Sequence, residues 1–143
     1  MKKLSIILIV LLALMVVTGS ALARERGTRR TATLSGANEI GGGDLDGSGF
    51  ARISIFPGQG MVCWEVSYEG IDTPTAAHIH SAPAGVNGPI VVPLSPIESG
   101  CGTVDRLLIK ELVRNPRNYY VNVHNAAFPG GAIRGQLHRP GQN

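Results

Sequence analysis

Apolar and polar residues alternate one for one along several short stretches of this chain, and glycine or proline punctuates most of them. The cleanest is "GMVCWEVSYEG" (60–70), where Val62, Trp64, Val66 and Tyr68 fall on one face and Met61, Cys63, Glu65 and Ser67 on the other. A period of two belongs to a strand with one buried face. "TATLSGANE" (31–39) predicts a first strand, and "GGGDLDGSG" (41–49) a turn rich in residues that tolerate positive φ. "FARISIFPG" (50–58) follows as a strand with Phe50, Ile53 and Ile55 in looser alternation, closed by Pro-Gly. "AAHIH" (76–80), "PIVVPL" (89–94), "YYVNVHN" (119–125) and "AIRGQLH" (132–138) predict further strands. One stretch departs from the period: "DRLLIKELVRN" (105–115) places Leu108 and Leu112 four apart behind a capping Asp105, and Pro116 ends it. Seven or eight strands, one helix and no internal repeat predict a single all-β sandwich.

The N-terminus changes the boundaries of that domain. Lys2 and Lys3 precede a run from Leu4 to Val17 that is apolar except for Ser5, and Ala21-Leu22-Ala23 offers an A-x-A cleavage site. Residues 1–23 therefore read as a signal peptide. The run is short for a membrane span, which needs about 20 residues, so a secreted or periplasmic protein with no membrane anchor after cleavage is expected. Arg24–Arg30 is expected to be a flexible basic N-terminus, residues 31–138 the domain and 139–143 a tail. Removing Lys2 and Lys3 takes the formal charge from +3 to +1. That near-neutrality and the scarcity of aromatics exclude a nucleic-acid binder. In an oxidising compartment the two cysteines, Cys63 and Cys101, favour a disulfide worth ~3–4 kcal/mol over a metal-binding thiolate. Neither lies in a C-x-x-C pair.

Histidines carry the candidate chemistry. His78 and His80 are two apart on a strand and so project from one face, with Ile79 pointing the other way. His124 shares its parity with Asn122, opposite Val121 and Val123, and can supply a third nitrogen; His138 is a weaker fourth candidate. Three neutral imidazoles without a thiolate favour copper first and zinc second, and no Asp or Glu lies near either motif to suit calcium or magnesium. Such pairs also occur without a metal, one ring bonding a loop carbonyl. Ser35 and Ser81 lack a G-x-S-x-G setting, no carboxylate pair is spaced for glycosidase chemistry, and "GVNGP" and "FPGGAIRG" open no helix, so they read as turns. Arg134 is expected to be solvated or bridging, with substrate steering as its one functional alternative.

"LSGANE", "TAAHIHSAPAGVNGPIVVPL" and "YYVNVHNAAFPGGAIRGQL", in this order, resemble the chordin-type (CHRD) domain over residues 31–138. The resemblance implies a Greek-key, immunoglobulin-like β-sandwich related to that of copper/zinc superoxide dismutase, in an extracellular module. Dismutases carry copper on a His-x-His strand and a later histidine, which His78, His80 and His124 resemble. The dismutase zinc subsite has no counterpart, because between Ser81 and Gly100 the chain holds no His and no Asp, only Glu98. Three functions remain. One is an exported copper-binding protein acting as carrier, scavenger or delivery factor. Another is a non-catalytic interaction or adhesion module that meets an exported protein partner through loops such as "SAPAGVNG", its histidines structural. The least supported is a dismutase-like redox enzyme.

Overall fold

The computed structural model describes residues 26–142. The expected signal peptide, residues 1–23, lies outside them. Eight strands form one antiparallel sheet in the order β5-β4-β7-β8-β1-β2-β3-β6. They are β1 (Thr28–Ser35), β2 (Ser48–Phe56), β3 (Met61–Glu69), β4 (Pro74–Ser81), β5 (Ile90–Pro93), β6 (Ser99–Thr103), β7 (Tyr119–Asn125) and β8 (Ile133–Gln136). One helix, α1 (Arg106–Arg114), lies between β6 and β7.

The sheet curls into two halves, β1-β2-β3-β6 and β5-β4-β7-β8, and the chain passes between them after β3, β5 and β6 in a Greek-key path. Their seam is thin. β1 and β8 share one ladder pair, Ser35 with Arg134, supplemented by a bridge between Thr31 and His138. Curling brings the apolar face of each half against the other. Leu34, Ile53, Ile55, Val62 and Trp64 from one half join Ile79, Val92, Val121, Val123 and Ile133 from the other in one buried cluster. Each such side chain contributes roughly 1.5–3 kcal/mol on leaving water. The alternation in β3 is the expected one, with Val62, Trp64 and Val66 buried. In β2 the inward set is Ala51, Ile53 and Ile55, and Phe50 faces out.

Helix α1 forms where the pattern placed it. The Asp105 carboxylate accepts from the Leu107 N–H at 2.8 Å, and Pro116 follows the helix. Ile109 and Leu112 are its buried residues, closing one end of the core.

Three features depart from the sequence reading. The first strand ends at Ser35, where a 3-10 turn over Gly36–Asn38 begins, rather than running on to residue 39. It also starts at Thr28, so Arg29 and Arg30 are not a solvated tail. Arg30 is 5 % exposed and donates to the Leu112 carbonyl at 3.2 Å and to that of Val113, satisfying carbonyls left unpaired at the end of α1. Finally, β6 ("SGCGT") carries no hydrophobic alternation and was not expected. Its ladder with β3 forms it, and its glycines leave room for Trp64: a Cβ on Gly100 would stand 2.6 Å from Trp64 Cζ2. The indole also donates Nε1–H to the Pro96 carbonyl at 2.8 Å, tying the preceding loop to β3. A disulfide fastens this edge strand, joining the directly opposed Cys63 and Cys101 across a sequence separation of 38.

Candidate metal centre

The site grows from the polar face of the β4–β7 ladder. Ile79 points inward with no exposed surface, so His78 and His80 project outward together. On β7 the same parity sends Tyr120, Asn122 and His124 to that face. The register pairs His80 with Tyr120, His78 with Asn122 and Ala76 with His124, so His124 lies diagonally across from His78. Within this face the three imidazoles gather, their ligand nitrogens all within 4.8 Å of one another.

Carbonyl oxygens can only accept, which settles two tautomers. His80 donates Nδ1–H to the Gly88 carbonyl at 2.9 Å, and His124 donates Nδ1–H to the Pro129 carbonyl at 2.9 Å. In the neutral rings both Nε2 atoms are therefore bare. His124 Nε2 accepts from His78 Nδ1 at 3.2 Å, and His80 Nε2 is buried with no partner. Two nitrogens bound to one tetrahedral ion at 2.0–2.1 Å stand about 3.3 Å apart, close to the 3.2 Å between His78 Nδ1 and His124 Nε2, so an ion fits between them once the His78 proton moves from Nδ1 to Nε2. Closing on a common ion then requires His80 to approach by about 1–2 Å.

The charge state favours bare nitrogens. Burial first, then the neighbouring His124 and His80, pushes the His78 pKa down to about 4. Burial also lowers that of His80, with His124 and Arg134 acting in the same direction and the Gly88 hydrogen bond opposing. Both rings are neutral at pH 7.

The loops that hold these rings are the two Gly-rich turns. Residues 82–89 fold back over β4 so closely that a Cβ on Gly88 would meet the Ser81 carbonyl oxygen at 2.0 Å. Only glycine lets the Gly88 carbonyl reach His80. The same loop is clamped by Arg134 of β8, 2 % exposed, which donates to Asn87 Oδ1 at 2.9 Å and to the Val86 carbonyl at 2.7 Å. Its guanidinium carbon sits 3.4 Å from the Tyr120 ring centroid. Tyr120 in turn stacks on His80, centroids 4.7 Å apart and planes within 7°. Arg134 is thus a bridging residue buried beneath the loop, and the solvated and substrate-steering expectations for it are corrected.

Sequence reasoning missed one neighbour. Glu39, from the loop after β1, accepts from Asn122 Nδ2 at 2.7 Å, and Asn122 is the residue paired with His78 in the β4–β7 ladder. Burial raises its pKa to about 7, against the opposing pull of Arg134. A contact between residues 83 positions apart leaves no trace in spacing, and the acid's own stretch reads as a turn. His138 lies elsewhere, pairing with Thr31 at the β1–β8 seam, outside the cluster.

Fold and site together define an all-β domain with a half-buried tri-histidine cluster on one outer face. The CHRD domain family matches residues 30–137, most of the chain, and the protein belongs to that family. No curated protein and no solved structure matches it.

Proposed function

We propose that this CHRD-domain protein is exported and binds one metal ion, copper before zinc, through His78, His80 and His124, as a carrier, scavenger or delivery factor. The observation that carries the reading is the pre-set donor geometry. Two rings are oriented by loop carbonyls, and a buried His80 Nε2 has no partner of its own. A buried lone pair without a donor is costly, and a cation is the partner that would relieve it. Carbonyl acceptors behind ligating imidazoles are the support that metal sites use. Imidazole nitrogens without thiolate or carboxylate suit copper at the top of the divalent affinity series, with zinc next.

Export is supported by the apolar N-terminal pattern of the sequence, by a disulfide of the kind that persists in oxidising compartments, and by family membership. Among the described residues no helix is long and apolar enough to cross a membrane. The dismutase-like reading loses its one candidate for steering an anion, because Arg134 is buried and fully engaged. The test is a titration of the protein with Cu(I), Cu(II) and Zn(II), alongside a His78→Ala/His80→Ala variant. One equivalent bound by the wild type and none by the variant is expected. Equal binding by both, or no stoichiometric binding, refutes the reading and leaves the histidines as braces for the loops.

A further inference from the structure

At the opposite end of β7 from His124, the chain gathers positive charge that no acidic side chain among the described residues pairs with. A cavity of about 260 Å³ between the end of α1 and the C-terminal segment is lined by Arg114, Arg117, Arg139, His138, Asn118 and Gln142, and by no carboxylate. All three arginines are exposed, and among the described residues none of their guanidiniums is engaged in a hydrogen bond or ion pair. Among the described residues the one ion pair is Arg52 with Glu65, on the outer face of β2 and β3. Glu111, the acid nearest in sequence, is held by Asn115 Nδ2 at 2.8 Å. The crowding of cations is felt by their neighbours: after burial, Arg117 is what lowers the His138 pKa, and Arg139 that of Arg30. In a chain whose exported form carries almost no net charge, this cluster is a local excess.

The cavity opens into a wider groove of about 750 Å³ that shares Arg117, Asn118, His138 and Gln142 and adds Thr33, Pro83, Ala84 and Leu137. The two compartments differ in chemistry, one offering guanidinium and amide donors, the other a mostly apolar wall. Planar guanidinium forks match tetrahedral oxyanions, and a pocket of a few hundred Å³ suits a small organic molecule. We propose that this end of the sandwich binds a small phosphomonoester, the phosphate among Arg114, Arg117 and Arg139 and the organic part along the adjoining groove. The site is separate from the histidine cluster, so it stands or falls independently of metal binding.

The experiment is calorimetric titration of the protein at low salt with glucose 6-phosphate, inorganic phosphate and glucose, and a sedimentation assay with vesicles containing phosphatidic acid. The sugar phosphate is expected to bind saturably and at least as tightly as inorganic phosphate, with no binding of glucose. Arg117→Gln/Arg139→Gln should weaken it at least tenfold, and Arg117→Lys/Arg139→Lys, which keeps the charge, by less. Arg106→Gln removes an exposed cation outside the cavity and should leave affinity within twofold. Thermal melts within a few degrees of wild type confirm that the variants are folded, and the lysine pair serves if the glutamine pair is not. Equal binding by wild type and the glutamine pair, tighter binding of bare phosphate than of the ester, or binding to vesicles alone overturns the proposal.

Discussion

Replacing Arg134 with methionine probes how the fold holds its outer face. Methionine keeps an unbranched chain in the same space but removes the charge and every donor. It deletes the bonds to Asn87 Oδ1 and to the Val86 carbonyl, a longer one of 3.4 Å to the Pro83 carbonyl, and the cation above Tyr120. Two good hydrogen bonds from a charged donor are together worth about 3–6 kcal/mol, and the cation–π contact adds about 1–2. Two effects work against that loss. The variant no longer dehydrates a guanidinium, and Pro83 and Val86 lie in an exposed loop where water can take over their carbonyls. The balance is a destabilisation of about 2–4 kcal/mol. At about 4 °C per kcal/mol for a domain of this size, Tm falls by roughly 8–16 °C. Because the clamped loop carries Gly88, the effect should be concentrated there. Amide exchange of residues 84–88 should rise more than that of β1 to β3, and copper affinity should drop about 10–100-fold as His80 loses its fixed acceptor. Arg134→Lys, with one compact ammonium in place of a fork, should fall between. A variant with Tm within about 2 °C of wild type and unchanged exchange in the loop refutes the clamp.

Three further perturbations test other parts of the account. Glu39 retains its proton in the folded state at pH values where the unfolded chain has lost it, so its contribution to folding stability should fall as pH rises from about 4.5 to about 7 and level off above, while the lowered His78 pKa adds stability as pH rises between about 4 and 6.5 in both the wild type and a Glu39 variant. Allowing for solvent screening at this partly exposed site, the change is at most about 2 kcal/mol. Urea unfolding across that range should show the Glu39 contribution as a stability difference between wild type and Glu39→Gln that moves against wild type as pH rises, the histidine contribution being common to both; parallel curves for the two proteins refute the assignment. Cys63→Ser/Cys101→Ser should cost about 3–4 kcal/mol and raise amide exchange in β6 first, because the link closes a 38-residue separation onto an edge strand. Gly100→Ala pushes a methyl into the indole of Trp64 and should cost about 1–3 kcal/mol. As Trp64 is the chain's one tryptophan, its fluorescence should shift with the loss, and an unshifted spectrum at wild-type stability contradicts the packing described.

Much of this architecture was legible because its signals are local. The period of two in 60–70 gives β3 with the right face inward, and Asp105 and Pro116 bracket α1 within a residue of where it forms. Parity alone placed His78 and His80 together and put His124 on an outward face. The strand β6 was invisible because its inward positions are glycines serving the shape of a distant tryptophan. Arg30 looked like part of a tail because its partners are helix-end carbonyls 82 and 83 residues away. For Arg134 a solvated and a bridging role both stayed open for a related reason: a strand's alternation tells which face a residue occupies and nothing about what loop covers that face. Glu39 escaped in the same way. The histidine cluster could be read as candidates, while the acceptors that set its tautomers are backbone groups with no residue type to betray them.

The most direct test of the central claim is X-ray absorption spectroscopy on the protein loaded with one equivalent of copper, with the His78→Ala/His80→Ala variant as the comparison. The account predicts three imidazole nitrogens at about 2.0 Å in the wild type, lost in the variant. A shell of oxygen donors without imidazole scattering, or identical spectra from the two proteins, contradicts it.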